Sequence, residues 1–433
     1  MQYFKGKNVL VYGMGLSGQA AAKLLHENEA CVSVFDESGN YDDLFCFEKN
    51  PFAKKYDLVV VSPGVKVKDN KLLQHFFKQK VSVISELDLG YSFAKGEFVA
   101  ITGTNGKTTV TTLIGEIFKV AGKETFVCGN IGLPLSEIAE KTTKNSFVIC
   151  EVSNFQLETS SVFNPDVACI LNLQEDHIDR HGNFAEYVKV KNKITQNFGA
   201  KNYLFCNLDD CNFNLVEQKK NTAYCSKSEL KKGVYVKDNS IFYNKMKVMS
   251  VSDVPLLGEK NLENVLFAVG VSMLYKIKPN VIAETIKNFK GVDHRLEFVE
   301  KTHGVSYYDD SKSTNVACCE MAIESLKSES LILLLGGQNK DCSFAHMFEK
   351  GYKIKKIVCF GQAGQEICVI AKNRAYDAIC FQKMEDGVRF AMKNAVSGDT
   401  VLLSPGCASF DEFSSYKQRG EKFKEIVSEK VSH

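Results

Sequence analysis

The chain has 433 residues, and its 54 lysines and arginines nearly balance its 52 aspartates and glutamates. This balance excludes the strongly basic surface of a nucleic-acid-binding protein, and no apolar run is long enough to span a membrane. The length predicts two or three domains, and the 15 cysteines, odd in number and without a C-x-x-C pair, favour reduced thiols in a cytoplasmic protein.

Residues 1–93 are predicted to form a small α/β domain. Three apolar strand candidates, Asn8–Tyr12, Cys31–Phe35 and Asp57–Val61, alternate with helical segments. This pattern is one βαβαβ half-unit of a dinucleotide-binding fold. The first strand begins too near the N-terminus to leave room for the layout of a signal peptide.

A G-x-G-x-x-G motif, Gly13 to Gly18, follows the first strand, and Asp36 follows the second. Such a turn places a diphosphate at a helix N-terminus and an acidic side chain near a sugar hydroxyl. After the third strand, Gly64 would let the backbone approach a ligand beside this loop. A UDP-type ligand is favoured, because the domain has half the size that NAD requires. A dinucleotide and a purely structural glycine turn remain as alternatives.

A second glycine turn begins the central region. The apolar run Phe98–Ile101 leads into Gly103–Gly106, and Lys107 then opens a segment with helical spacing. Strand, glycine turn and helix N-terminus form a phosphate cradle, in which the lysine reaches the terminal phosphates and the hydroxyl of Thr108 can hold Mg²⁺. The first glycine of the full motif is replaced by isoleucine, so this is a shortened variant. We predict that the chain binds a nucleoside triphosphate.

Two polar positions downstream are candidate metal ligands. Glu151 ends the apolar run Phe147–Cys150, where a P-loop fold offers a carboxylate to Mg²⁺. The polar segment 172–181 also follows a predicted strand, and its His177 could bind a metal as neutral imidazole. A solvated loop is an equal alternative for that segment. A solvated helix face is the simplest interpretation of the three lysines that follow, Lys189, Lys191 and Lys193.

A third α/β alternation begins near Asp293, with strands predicted at Val305–Tyr308, Leu331–Leu335, Lys356–Phe360, Ala378–Phe381 and Thr400–Leu403. Polar loops at 309–315, 336–341 and 404–411 follow three of these strands. The carboxyl ends of parallel strands meet at one edge of a sheet, so these loops should converge on one crevice. Their lysines and hydroxyls suit a small substrate with carboxylates. The predicted domains are therefore 1–93, 94–291 and 292–433, each with a largely parallel sheet, and 207–250 is the least informative stretch.

Together these segments resemble the Mur ligases of peptidoglycan synthesis over nearly the whole chain. The shared segments are SPG (62–64), TGTNGKTT (102–109), GNIG (129–132), EVSNFQLE (151–158), EDHIDRH (175–181), HRLE (294–297), DDSKSTN (309–315), GGQNKD (336–341) and SPGCASFDEF (404–413). The motifs up to HRLE are also shared by folylpolyglutamate synthases. The N-terminal domain and the last segment are most similar to those of the D-glutamate-adding members, and another amino-acid ligase of the superfamily is the alternative.

The resemblance implies a Rossmann-like N-terminal half-unit, a central P-loop ATPase domain and a Rossmann-like C-terminal domain. It implies a monomeric cytoplasmic enzyme that uses ATP and two Mg²⁺ ions to join D-glutamate to UDP-N-acetylmuramoyl-L-alanine through an acyl phosphate. The catalytic residues it implies are Lys107, His177, Lys191 and Lys312.

The resemblance also assigns binding residues. It places ATP at Gly103, Thr104, Asn105, Gly106, Lys107, Thr108, Thr109, Asn261, Asn264, Arg295 and Asp310. It places the UDP-substrate at Leu16, Ser17, Asp36, Gly64 and Asn130, and D-glutamate at Lys312, Thr314, Lys340, Ser409 and Tyr416. The metal ligands would be Thr108, Glu151, His177 and Lys191, the last as a carbamate. Glu37 and Ser38 stand where the family often has Thr-Arg, so its uracil contacts do not carry over here.

Overall fold

A computed structural model describes residues 4–39, 45–338 and 343–429, and these residues form three β-sheets. The chain divides into two compact units, Met1–Pro255 with Asn261–Phe289, and Leu256–Lys260 with Lys290–His433. The first unit contains two of the sheets and the second unit contains one. No helix within the described ranges is long and apolar enough to cross a membrane. Every described cysteine is a free thiol.

The first sheet is parallel throughout. Its strands are β1 (Asn8–Tyr12), β2 (Cys31–Phe35), β3 (Cys46–Phe47), β4 (Leu58–Val61) and β5 (Ser82–Ser85), in the order β3-β2-β1-β4-β5. Helices α1 (Leu16–Glu27), α2 (Lys71–Lys78) and α3 (Glu86–Phe93) connect and cover them. The expected three-stranded half-unit is thus too small. β3 and β5 were missed because β3 has two residues and β5 has only two apolar residues between two serines, so both apolar runs are too short to indicate a strand.

The second sheet has nine strands. They are β6 (Glu97–Thr102), β7 (Thr125–Gly129), β8 (Phe147–Glu151), β9 (Val167–Ile170), β10 (Tyr203–Asn207), β11 (Thr222–Ser226), β12 (Val234–Lys237), β13 (Ser240–Tyr243) and β14 (Met246–Ser250). The helices of this region are α4 (Lys107–Val120), α5 (Leu135–Ile138), α6 (Asn154–Glu158), α7 (Ile178–His181), α8 (Phe184–Asn192), α9 (Glu259–Leu274) and α10 (Pro279–Lys287).

The order of this sheet is β14-β13-β12-β11-β10-β9-β6-β8-β7, with antiparallel pairing only at β12-β13-β14. The stretch 207–250, which the sequence left unassigned, therefore extends the sheet by the parallel strand β11 and by the antiparallel meander β12-β13-β14. β6, β8 and β9 are neighbours, so their carboxyl ends bring together the segments in which the phosphate and metal residues were predicted.

The third sheet confirms the strands predicted after residue 292. Its strands are β15 (Glu297–Thr302), β16 (Val305–Asp309), β17 (Leu331–Gly336), β18 (Lys356–Phe360), β19 (Ala378–Phe381) and β20 (Thr400–Gly406). The order is β15-β16-β20-β17-β18-β19, and only the edge pair β15-β16 is antiparallel. The helices are α11 (Val316–Leu326), α12 (Ala345–Glu349), α13 (Gly364–Asn373), α14 (Met384–Asn394) and α15 (Tyr416–Ser428). The predicted domain limits at 93/94 and 291/292 stay predictions.

Close packing of Gly18 on Gly13 fixes the turn between β1 and α1. This packing predicts how substitutions in the turn change the free energy of unfolding. A Cβ on Gly18 would lie 1.8 Å from the carbonyl oxygen of Gly13, whereas a Cβ on Gly15 would meet nothing within 4 Å. We therefore expect Gly18→Ala to lower the unfolding free energy of the first unit by about 1–3 kcal/mol, as overpacking does. Gly15→Ala, the control, should stay within about 0.5 kcal/mol of wild type. Urea unfolding followed by circular dichroism measures both, and equal effects would contradict this account.

Candidate functional site

Two glycines shape the loop between β6 and α4. Gly103 has φ 152° and Gly106 has φ 86°, in the region that favours glycine. A Cβ on Gly106 would lie 2.2 Å from Oδ1 of Asn264. A Cβ on Gly103 would lie 2.9 Å from the Cβ of Leu171. The backbone therefore runs close to its neighbours here. The loop ends at the N-terminus of a helix of 14 residues, where backbone N–H groups and the helix dipole suit a phosphate.

The segment after β9 holds this loop in place. The amide N–H of Asn105 donates to Oδ1 of Asn172 at 2.8 Å, and Nδ2 of Asn172 returns a bond to the Asn105 carbonyl at 3.1 Å. The Thr104 hydroxyl lies 2.8 Å from the Tyr187 hydroxyl and accepts a bond from the Gln174 amide. Sequence reasoning singled out the segment 172–181, which contains Asn172 and Gln174, but it did not predict this bracing role. It missed Tyr187, which lies in α8 and reaches the loop only through tertiary packing.

Two lysines donate to one carbonyl oxygen of the loop. Nζ of Lys107 and Nζ of Lys191 each lie 2.9 Å from the oxygen of Gly103. Lys191 is 1% exposed, and its Nζ lies 4.8 Å from the centre of the Tyr187 ring. Burial, followed by the charge of Lys107, lowers the pKa of Lys191 well below its usual value. The solvated-face interpretation is therefore wrong for Lys191, whereas the Lys189 side chain is 74% exposed.

Glu151 offers an oxygen that fits a cation. Its side chain is buried at the end of β8, and its Oε1 accepts a bond of 2.7 Å from Nδ2 of Asn130. Its Oε2 is buried without a hydrogen-bond partner among the described residues. A buried, unpaired carboxylate oxygen is costly unless a cation or donor reaches it. The donor chemistry at this position therefore fits Mg²⁺.

His177 is the N-cap residue of the short helix α7 and has a left-handed conformation with φ 52°. Its ring lies 4.7 Å from the ring of Phe155, and its Nε2 lies 3.5 Å from Oδ2 of Asp176. Burial lowers the pKa of His177, the nearby carboxylates oppose this effect, and the charges of Lys107 and Lys191 add to it. The neutral imidazole, which is the form that binds metals, is therefore favoured.

A cavity of about 650 Å³ lies beside the glycine turn of the first sheet. All five residues predicted to contact a UDP-substrate line it: Leu16, Ser17, Asp36, Gly64 and Asn130. The structure adds Tyr12, Glu37 and Asn70 to the lining. The Tyr12 hydroxyl donates to the Glu37 carboxylate and accepts a bond of 2.9 Å from Asn70. Sequence reasoning missed this polar group because its three members lie far apart in the chain.

Asp36 has a structural role in addition to lining the cavity. Its carboxylate accepts bonds from the Met14 amide at 2.7 Å and from the Ser38 amide at 2.9 Å. Partial burial would raise the pKa of Asp36, but these hydrogen bonds outweigh it and lower the pKa. Asp36 therefore fixes the G-x-G-x-x-G turn against the loop after β2.

Asn261 and Asn264 bring α9 to the phosphate loop. Nδ2 of Asn264 donates to Oδ1 of Asn261 at 3.2 Å, and Asn264 packs against Gly106 as described above. The two predicted asparagines therefore form one hydrogen-bonded pair in α9. Asn264 contacts Gly106, which is the N-cap residue of α4.

In the second unit the three predicted loops converge, as expected. The backbones of Gln338 and Ala408 exchange two bonds of 2.9 and 3.0 Å, and the Gly406 amide donates to the Ser313 carbonyl at 3.0 Å. The buried guanidinium of Arg419 donates to the carbonyls of Ser311, Cys407 and Ala408. One side chain from α15 thus joins the loops that follow β16 and β20.

The residues predicted to bind an amino acid are partly brought together. Nζ of Lys312 lies 5.8 Å from the ring of Tyr416. Ser409 is buried near the end of β20, and Thr314 is exposed. Lys340 lies outside the described residues.

Asp310 and Arg295 are the two residues of the second unit that were predicted to contact ATP. Asp310 is buried, and it accepts bonds from the hydroxyls of Ser313 and Ser404. Burial raises the pKa of Asp310 to about 6. Nε of Arg295 is buried without a hydrogen-bond partner among the described residues, which fits an anionic ligand.

Within the described ranges, the only group of three histidine, cysteine or carboxylate side chains with metal-like spacing is His294, Glu297 and Asp309. Its atoms are already paired. His294 Nδ1 lies 2.7 Å from Oδ2 of Asp309, and Nζ of Lys424 lies 3.0 Å from both carboxylate oxygens of Glu297. These contacts are those of a structural ion network rather than a metal site.

Comparison with known proteins gives one consistent result. The profile of the Mur ligase middle domain matches residues 101–272, and that of the Mur ligase glutamate ligase domain matches residues 294–407. The UDP-N-acetylmuramoylalanine–D-glutamate ligase of Thermoanaerobacter sp. (strain X514) is 39% identical over 98% of this chain and 99% of its own length.

Two solved structures share the fold. The UDP-N-acetylmuramate-alanine ligase MurC from Thermotoga maritima has a TM-score of 0.61 at 16% identity, over 97% of this chain and 99% of that one. The MurF ligase from Thermotoga maritima in complex with ADP has a TM-score of 0.59 at 16% identity, over 98% of this chain and 95% of that one.

The raised pKa of Asp310 predicts a pH-dependent stability. Because the folded state holds this proton up to about pH 6, whereas an unfolded aspartate loses it near 3.8, the group's contribution to stability falls as the pH rises through that window. Asp310→Asn cannot titrate, so the unfolding free energy of wild type relative to this variant should fall by on the order of 2 kcal/mol from about pH 4 to pH 7. Urea unfolding at both pH values tests this. Asp377→Asn, at a side chain that is 61% exposed, is the control and should show no such change.

Proposed function

The chain belongs to the Mur ligase family, and we propose that it is the member that joins D-glutamate to UDP-N-acetylmuramoyl-L-alanine at the expense of ATP. The observation that carries this proposal is the side-by-side placement of a sugar-nucleotide-sized cavity and a P-loop, linked by the bond between Asn130 and Glu151. A relative 39% identical over nearly its full length bears the name of that ligase.

The cavity is proposed to bind the UDP part of the substrate. Its glycine turn precedes α1, where N–H groups favour a diphosphate, and Ser17 adds a hydroxyl. Glu37 and Asn70 supply an acceptor and a donor for the base or the ribose. Asn130 lines the same cavity and holds Glu151, so the far end of the substrate would point toward the phosphate loop.

The loop 103–109 is proposed to bind the ATP phosphates. Lys107 lies at the start of α4, from where its charge can follow the γ-phosphate as it passes to the substrate carboxylate. Asn261, Asn264, Arg295 and Asp310 are proposed to contact the nucleotide. Thr108, Glu151, His177 and Lys191 would hold Mg²⁺, in two sites, and the metal would neutralise charge on the phosphoryl group when bound.

Lys191 is proposed to act as a carbamate. An ammonium beside a divalent cation would repel it, whereas a carbamate is a carboxylate-like oxygen ligand. Carbamate formation requires an unprotonated amine that attacks CO₂. The burial of Lys191 and its proximity to Lys107 favour that unprotonated amine. The negative carbamate would then attract the positive charge of Lys107, whereas a protonated Lys191 would repel it.

The second unit is proposed to bind D-glutamate through Lys312, Thr314, Lys340, Ser409 and Tyr416. Cationic and hydroxyl groups at fixed separation suit two carboxylates, and they leave the amine free to attack. The amine attacks the carbonyl carbon of the acyl phosphate, and the tetrahedral intermediate expels inorganic phosphate as the amide forms. The products are therefore the amide, ADP and phosphate. The cytoplasmic location and the monomeric state stay predictions.

Phosphate release tests this function. We expect wild type to release phosphate from ATP only with both UDP-N-acetylmuramoyl-L-alanine and D-glutamate present, and L-glutamate, lysine or diaminopimelate should not replace D-glutamate. Lys107→Ala should lower the rate at least roughly a hundredfold, because it removes charge stabilisation of the transferring phosphoryl group. Lys119→Ala, at an exposed position on the same helix, is the control. Preference for lysine or diaminopimelate would point to another ligase of the family, and full activity of Lys107→Ala would refute the phosphate-loop assignment.

The carbamate predicts a chemical rescue. We expect Lys191→Ala to lose most activity and to regain part of it with added formate or acetate, because a small carboxylate can occupy the vacated position. Lys189→Ala, two residues away and exposed, should keep wild-type activity and ignore the added anion. Full activity of Lys191→Ala without any anion would show that the lysine has no role in the reaction.

A further inference from the structure

Arg180 forms a buried ion pair beside the cavity of the first unit. Its Nε and Nη2 donate to the two carboxylate oxygens of Glu158 at 2.6–3.1 Å, and the two side chains are 8% and 10% exposed. A planar guanidinium held on both oxygens of a carboxylate has one orientation, so this pair is a rigid element.

The same guanidinium reaches the wall of the cavity. Its Nη2 also donates to the carbonyl oxygen of Val65 at 2.7 Å. Val65 and its neighbour Gly64 line the cavity, in the loop that follows β4. A ligand that moves this loop would therefore pull on Arg180 through a charge-assisted hydrogen bond.

The guanidinium of Arg180 also packs on Phe155 of α6, which contacts His177. The guanidinium carbon lies 4.1 Å from the centre of the Phe155 ring, and this ring lies 4.7 Å from that of His177. Arg180 also lies in α7, which begins directly after His177. Phe155 and Glu158 are both in α6, whose Gln156 lines the cavity. The contacts therefore run without a break from the cavity wall to the imidazole.

We propose that Arg180 is a positioning residue that couples occupancy of the cavity to the placement of His177, so that binding of the UDP-substrate prepares the phosphate site. This inference rests on the proposed function, in which the cavity binds the UDP-substrate and His177 serves the nucleotide. It makes the two sites partners in binding, and such coupling is reciprocal for the two ligands.

A purely structural role for Arg180 makes a different prediction. Breaking a buried ion pair would then lower stability while leaving the two binding equilibria independent of each other. Contacts in series are not by themselves evidence of coupling, so the ratio of affinities with and without the second ligand has to be measured.

Isothermal titration calorimetry of the full chain provides that ratio. The two probes are UDP-N-acetylmuramoyl-L-alanine and the magnesium complex of the non-hydrolysable ATP analogue AMP-PNP, each titrated alone and in the presence of the other. In wild type we expect the presence of each ligand to lower the dissociation constant of the other at least about fivefold. Arg180→Lys, which keeps the charge but loses the paired donors, should bring this factor to within about twofold of one.

Phe155→Leu tests the contacts toward His177 separately from the contacts of Arg180 with the cavity wall. It keeps the ion pair and the bond to Val65, so the affinity for the UDP-substrate alone should change less than about twofold while the coupling factor falls. It also provides a readout if Arg180→Lys does not fold, which thermal unfolding by circular dichroism reveals. Arg389→Lys is the control, because Arg389 forms an exposed ion pair with Glu385 and should keep the wild-type factor.

The outcomes distinguish this inference from the function on which it rests. If wild type binds both ligands independently, or if Arg180→Lys and Phe155→Leu keep the wild-type factor, the coupling role is overturned and the proposed function stands. If wild type does not bind the UDP-substrate, the proposed function fails and this inference fails with it.

Discussion

The first unit is organised around the carbonyl oxygen of Gly103, on which two lysines converge. Lys191 is the buried one of the two, and its burial, followed by the charge of Lys107, lowers its pKa well below the usual value. Burial and repulsion therefore both favour the unprotonated amine of Lys191 beside the charge of Lys107. The brace of Asn172 and the packing of Asn264 on Gly106 matter because they hold this oxygen in place.

The same physical rule places the other polar residues. Parallel strands end at one edge of a sheet, so residues distant in the chain meet there. Glu151 is the last residue of β8, and the bracing segment follows β9, next to the proposed phosphate loop after β6. In the second unit the loops after β16, β17 and β20 meet for this reason, and Arg419 fastens two of them from a helix. The sheets supply proximity, and a few buried polar side chains convert it into fixed geometry.

The sequence predicted what depends on local pattern. The glycine turns and most strands of the third sheet follow from apolar runs and motif spacing, whereas Leu16, Ser17 and Asn130 of the cavity lining were implied only by the family resemblance. The residue pattern did not predict that Lys191 is buried, because a lysine is usually exposed and only tertiary packing decides which face of α8 is covered. Lys189, two residues away, lies on another face of the helix and is exposed. Nor did the residue pattern predict the contacts of Arg180, whose partners come from two segments distant in the chain, the loop after β4 and helix α6.

Asn130 links the cavity beside the first sheet to the end of β8 in the second. It lines the cavity and also donates to Oε1 of Glu151, whereas Oε2 is buried with no hydrogen-bond partner among the residues that the structure describes. The orientation of the Glu151 carboxylate is thus set by a residue of the cavity wall. Together with the Arg180 pair, this gives the cavity two separate links to the residues proposed to serve the nucleotide. One link orients a carboxylate and the other supports an imidazole, so both proposed metal-binding side chains depend on the packing around the cavity.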